Sequence, residues 1–169
     1  MLGHGAGGGV ESPDLVGAAE AAHEAGLSVA LVEQPYRVAG RRSPAPANQL
    51  DAAWVAVIEQ LDFGGVPLLT GGRSAGARVA CRTAADVGAV AVLCLAFPVH
   101  PPGKPEKSRL DELDAVQVPT LVVQGESDPF GNPPPGPNRV VVRIPGTHSL
   151  RSSGTVAAAV SDWLETSVW

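Results

Sequence analysis

The residues best suited to chemistry are Ser74, Asp128 and His148. Ser74 stands in Gly72-Arg73-Ser74-Ala75-Gly76, a G-x-S-x-G frame between an apolar run from Val66 and a segment whose small and apolar residues fit a helix. A serine on so tight a turn must adopt a strained backbone, and neighbours without bulk let the following helix pass close to the strand. The hydroxyl is then presented above the sheet, while N–H groups at the helix start can stabilise an anion. Asp128 lies in Gly125-Glu126-Ser127-Asp128-Pro129-Phe130-Gly131 and His148 in Pro145-Gly146-Thr147-His148-Ser149, each after a run that reads as a strand. The three residue types point to nucleophilic acyl transfer. His148 takes the Ser74 proton, Asp128 orients and stabilises the imidazolium, and His148 then activates water to release the acyl group. Glu126 is a second candidate acid, but Asp128 is the better match to the turn. Near the start, the glycine-rich stretch from Gly3 to Gly9 has little Cβ bulk to hold backbone N–H groups away from a developing oxyanion. Ala6, Gly7 and the Ala75 N–H are the candidates for that role.

The elements that must position these residues are read in chain order. Ser12 is placed to cap a helix beginning with Pro13 and Asp14, with Asp14 near the positive end of its dipole. Leu15, Ala18, Ala19 and Ala22 give its apolar face, Gly26 its stop, and His23 reads as a surface or packing residue. Leu27 to Glu33 reads as a strand. Gln34 to Asn48, broken by Pro35, Pro44 and Pro46, reads as a long loop carrying Tyr36, Arg37, Arg41 and Arg42. Tyr36 and Arg37 are candidate substrate contacts there. Leu50, Trp54, Val57, Ile58 and Leu61 recur at helical spacing, predicting a helix from Gln49 to about Gln60 with Trp54 in the core and Asn48 with Asp51 as its cap.

A strand over Val66–Thr70 leads into the elbow, and the helix after it runs to about Ala85. Within that unit Arg78 is expected to tie neighbouring loops together or meet a carboxylate, while Arg73, directly in the elbow, reads as structural; neither is needed for nucleophilic attack. Further strands are read at Ala89–Ala96, Pro119–Gln124 and Arg139–Ile144. His100, in the proline-rich segment after the first of these, is a third candidate substrate contact. Lys104 to Asp114 is charged, mostly exposed, and too short for a lid domain. A last helix buries Val156, Val160, Trp163 and Leu164 behind the His148 loop, and Trp169 either folds back or frays.

A chain of 169 residues, 44% hydrophobic and 17% charged, fits one α/β domain over residues 1–169 with small residues packed between layers. Twelve Lys and Arg against 17 Asp and Glu give a net charge of −5, so no basic field draws in nucleic acid. Cys81 and Cys94 read as buried small hydrophobes, not a disulfide framework, which favours a reducing, cytoplasmic setting. No apolar run reaches the length of a membrane span, and no signal-peptide pattern opens the chain. Four dispersed histidines offer no metal cluster.

Taken together, Gly3-His4-Gly5-Ala6-Gly7-Gly8, Glu33-Gln34-Pro35-Tyr36-Arg37, the elbow, the Asp128 turn and Gly146-Thr147-His148-Ser149 closely resemble the α/β-hydrolase family. The likeness is greatest to small bacterial relatives of testis-expressed protein 30 and of the third subunit of the NSL acetyltransferase complex. It is similar also to dienelactone hydrolases, with Ser74 at the position of their cysteine. The resemblance covers nearly the whole chain and includes the order serine, acid, histidine. It implies a mostly parallel sheet flanked by helices and no required cofactor, and leaves the substrate open; the first functional reading is a serine hydrolase with no large lid, acting on a small ester, thioester or related acyl substrate. The alternative is a non-catalytic interaction or regulatory module using the arginine-bearing loop, since fold alone does not fix activity. The family normally carries strands before the oxyanion loop, whereas here only Met1 to Gly3 stand in that place. An N-terminally truncated domain is therefore expected, one that an N-terminal extension would stabilise; a minimal domain supported as a homodimer is the other reading.

Overall fold

The computed structural model describes residues 1–61 and 63–167. The expectation for Trp169 lies outside them. Among the described residues twelve elements follow one another: β1 (Leu2–Gly3), α1 (Pro13–Glu24), β2 (Leu31–Val32), α2 (Pro35–Val38), α3 (Ala47–Leu61), β3 (Leu69–Arg73), α4 (Ala75–Thr83), β4 (Ala91–Leu95), α5 (Leu110–Asp114), β5 (Thr120–Gly125), β6 (Arg139–Ile144) and α6 (Ser153–Ser167). Among the described residues the sheet has six strands in the order β2-β1-β3-β4-β5-β6, every neighbouring pair parallel. Among the described residues no helix is long and apolar enough to cross a membrane.

Strand alternation sorts the core into two faces. Leu93, Leu95, Leu121 and Val123 point to one side, where Leu15, Ala18 and Ala21 of α1 meet Val156, Val160, Trp163 and Leu164 of α6. Val92, Cys94 and Val122 point to the other, against Ala77, Ala80 and Cys81 of α4 and Leu113 of α5. Cys81 and Cys94 are free thiols with their sulfurs 3.5 Å apart. The hydrogen bond to Cys81, and then burial, push the Cys94 thiol well above its usual pKa. A third cluster sets Trp54, Leu50 and Ile58 of α3 against Met1, Tyr36 and Val79. The order reverses direction between β1 and β3, so the chain leaves the carboxyl ends of these two strands on opposite faces and opens a crevice between them.

Several boundaries differ from the sequence reading. β2 is confined to Leu31–Val32 because its one partner, β1, offers two residues to pair with; Leu27 and Val29 pack on the core outside any strand. The Gln34–Asn48 loop contains α2, started by Pro35 at the position where a missing N–H costs nothing. In α3 the Pro46 carbonyl accepts from the N–H groups of Gln49 and Leu50, so Asn48 lies inside the helix and caps nothing. Asp51 pairs instead with Arg82, and Leu61 at the helix end is exposed. β3 starts at Leu69, not Val66, and runs through both glycines to Arg73, since Gly71 and Gly72 pair with β1 on one side and β4 on the other. Ser12 precedes α1 as expected, but its hydroxyl makes no capping bond.

Candidate active site

At the end of β3 the chain bends sharply at Ser74, with φ 51° and ψ −107°, a conformation that costs a non-glycine residue about 1–3 kcal/mol. Two backbone bonds hold it there. The Ser74 N–H donates to the Leu95 carbonyl at 2.8 Å, and the Arg78 N–H donates to the Ser74 carbonyl at 3.2 Å. The bend lets α4 pass against β1: a Cβ on Gly72 or on Gly76 would run into the Gly3 carbonyl oxygen. Gly76→Ala should therefore lower the free energy of unfolding by about 1–3 kcal/mol in urea titration, as backbone, not a flexible side chain, has to move.

The turns after β5 and β6 bring two further side chains to the serine. His148 Nε2 lies 2.9 Å from Ser74 Oγ, and its Nδ1 lies 2.8 Å from Asp128 Oδ2. Asp128 is buried and its oxygens also accept from the Phe130 N–H and from Gln124 Nε2, each at 2.8 Å. An ionised carboxylate is an acceptor alone, so it fixes the proton of neutral His148 on Nδ1 and leaves Nε2 free to accept from the serine hydroxyl. The Phe130 ring meets the imidazole edge to face, 4.3 Å between centroids. Glu126, the other acid considered, is exposed on the same turn.

Two supports were not legible in advance. Gln124 is fully buried, and its Nε2 lies within 3.1 Å of the Phe97 carbonyl, the Gly131 carbonyl and Asp128 Oδ2, which pins the acid-bearing turn from beneath. Arg73 reaches from the elbow to Asp14 Oδ2 at 2.7 Å and to the His148 carbonyl at 3.1 Å. Asp14 is thus a buried partner of Arg73 more than a charge on a helix end, and Arg73 joins α1, the serine turn and the histidine turn.

The glycine-rich loop is anchored by His4, which is wholly buried. Its Nε2 accepts from the Gln34 N–H at 2.9 Å, so its Nδ1–H donates to the Gly5 carbonyl at 2.7 Å. The Tyr36 hydroxyl donates towards the Ala6 carbonyl at 3.3 Å and lies 3.5 Å from that of Gly5. Ala6, Gly7 and Ala75 then share with Ser74 and His148 the lining of a cleft of about 460 Å³, closed on its apolar sides by Pro44, Pro98, Pro102 and Phe130. Ala75 opens α4, so its N–H has no carbonyl one turn back. Of the three expected substrate contacts, none lines this cleft. Tyr36 is buried beneath the loop it braces, Arg37 sits on α2 away from the cleft, and His100 turns its Nδ1 to the Pro101 carbonyl at 3.0 Å. The cleft takes its cations from Arg73, Arg78 and Arg109 instead. Among the described residues no group of three or more His, Cys, Asp or Glu is placed to hold a metal.

A family model described as an alpha/beta hydrolase domain matches residues 1–135, four-fifths of the chain. The chain belongs to the α/β-hydrolase family. The match takes in Ser74 and Asp128, and the structure adds His148 beyond its end. Among solved structures, this hydrolase is similar to XC6422 from Xanthomonas campestris, described as an a/b serine hydrolase without lid. The TM-score is 0.75 at 23% identity, over 97% of this chain and 80% of that one. It is similar also to an alpha-beta serine hydrolase homologue from Coxiella burnetii, with a TM-score of 0.72 at 18% identity over 97% of this chain and 85% of that one. Est1E from Butyrivibrio proteoclasticus, solved with ferulic acid bound, gives 0.70 at 18% identity over 99% and 88%. Likeness at these identities is likeness of fold. A comparison with curated proteins finds no match.

Proposed function

We propose that the protein is a serine hydrolase that cleaves a small ester, thioester or related acyl substrate through an acyl-enzyme. The observation that carries this reading is the unbroken hydrogen-bonded line from Ser74 Oγ through His148 to Asp128. Ser74 Oγ attacks the acyl carbon as its proton passes to His148 Nε2, and Asp128 stabilises the imidazolium. Charge moves onto the carbonyl oxygen, where the N–H groups of Ala75 and of the Ala6–Gly7 loop receive it. Collapse breaks the bond to the leaving alcohol or thiol, which takes the proton from His148. Water then gives a proton to His148 and its oxygen to the acyl carbon, the bond to Ser74 breaks, and Ser74 recovers its proton. The sum is ester plus water giving acid plus alcohol, with no cofactor in any step. The family and the fold of the solved relatives support the same chemistry.

Addition of a fluorophosphonate to the folded protein tests it. Intact-mass spectrometry should show one adduct, formed by Ser74 Oγ displacing fluoride from phosphorus, and none on Ser74→Ala or on heat-denatured protein. A folded protein that takes up no label would point to an interaction module.

A further inference from the structure

The charges around the cleft do not cancel. Arg73 is matched by Asp14. Arg78 is paired with Glu112, which also accepts from Arg82 at 3.2 Å, and Arg82 turns its other edge to Asp51 at 2.6 Å. Three guanidiniums, Arg78, Arg82 and Arg109, thus share two carboxylates, Asp51 and Glu112. Arg109 is the one left over: among the described residues its side chain has no hydrogen bond or ion pair, though it lines the cleft together with Ser74 and His148. Its backbone is fixed, with its N–H on the Val99 carbonyl at 2.7 Å and its carbonyl accepting from the Glu112 N–H at 3.2 Å. Burial first, and then the like charges of Arg78 and Arg82 against the attraction of Glu112, draw its pKa below the usual arginine value. Arginine stays protonated at neutral pH even so. A partly dehydrated cation beside a second cation gains more from an incoming anion than either would in water.

Among the described residues no carboxylate lines the cleft to compete for it, and its apolar walls are Pro44, Pro98, Pro102 and Phe130 beside Ala6, Gly7 and Ala75. We propose that the substrate is a small ester or thioester carrying a single carboxylate, and that Arg109 holds this carboxylate while Ser74 attacks the acyl carbon. The planar fork of a guanidinium donates to both carboxylate oxygens at once, and one surplus positive charge calls for a monoanion. The inference rests on the hydrolase reading for its chemistry, but its binding part can be tested apart from turnover.

Two measurements separate the ideas. The first is the ratio of kcat/KM for monomethyl glutarate over methyl pentanoate, of similar length, one with and one without the carboxylate. Arg109→Gln should lower that ratio about 10- to 100-fold, and Arg109→Lys, which keeps the charge and loses the fork, should recover part of it. A ratio the same in wild type and Arg109→Gln overturns the proposal. The second is calorimetric titration of monomethyl glutarate into Ser74→Ala and into the Ser74→Ala, Arg109→Gln double variant, each checked for folding by thermal unfolding. Weaker binding by the double variant supports the anion site even if no ester is turned over, in which case only the hydrolase reading falls. Equal binding by the two sinks the anion site, whatever the turnover.

Discussion

Replacing Asp128 with asparagine should lower kcat about 10⁴-fold on any ester the protein hydrolyses, with KM changed far less. The cause is the proton inventory of the turn. Asp128 accepts from His148 Nδ1, Gln124 Nε2 and the Phe130 N–H, three donors on two oxygens. An amide has one oxygen. If that oxygen stays on the Phe130 N–H, the new NH₂ faces His148 Nδ1 and Gln124 Nε2. His148 must then turn its Nδ1 lone pair to the amide and carry its proton on Nε2, where it donates to Ser74 in place of accepting. The serine loses its base while remaining in position. Gln124 can relieve the second clash by presenting Oε1, which has no partner now, but its bonds to the Phe97 and Gly131 carbonyls would be lost. A stability loss of about 1–3 kcal/mol should accompany the kinetic effect, read from urea unfolding. A variant with normal kcat would place the acid elsewhere.

Arg73→Met should destabilise the fold by about 3–5 kcal/mol. Arg73 is only partly covered, with 14% of its side chain exposed, whereas that of Asp14 is 2% exposed. Removal of the arginine leaves a buried carboxylate with the Leu15 N–H, at 3.0 Å, as its remaining partner. Desolvation of that charge sets the cost, so Asp14→Asn in the same chain should restore much of the loss in a double-mutant cycle. Activity should not be restored with it, because the bond from Arg73 to the His148 carbonyl stays broken in both variants.

These two sites mark what a linear reading reveals. Ser74, Asp128 and His148 announce themselves because each sits on a turn with local requirements: a frame of small residues, a Gly-x-x-Asp turn, a short loop after a strand. The same holds for α6, whose buried face is the one its periodicity predicts. Gln124 and Asp14 were hidden because their partners lie on other elements. Nothing beside Asp14 distinguishes a helix-end acid from one half of an ion pair with a residue 59 positions on. Tyr36 and His100 went astray for a related reason. Their neighbourhood in sequence is the cleft's, but Tyr36 is buried with its hydroxyl directed to the Ala6 carbonyl, and His100 Nδ1 lies 3.0 Å from the Pro101 carbonyl. Strand ends moved wherever pairing, not composition, decided them, as at β2 and β3.

The wide spacing of the three residues has a consequence during synthesis. Ser74 and His148 are 74 positions apart, and β4, α5, β5 and β6 all lie between them. A chain growing from its N-terminus holds the serine long before it holds the base, and the turn that strains Ser74 also needs the Leu95 carbonyl from β4. In the proposed mechanism, Ser74 therefore has no base on a nascent chain until β6 has docked and delivered His148. Acylation of Ser74 in a growing chain would report completion of the sheet.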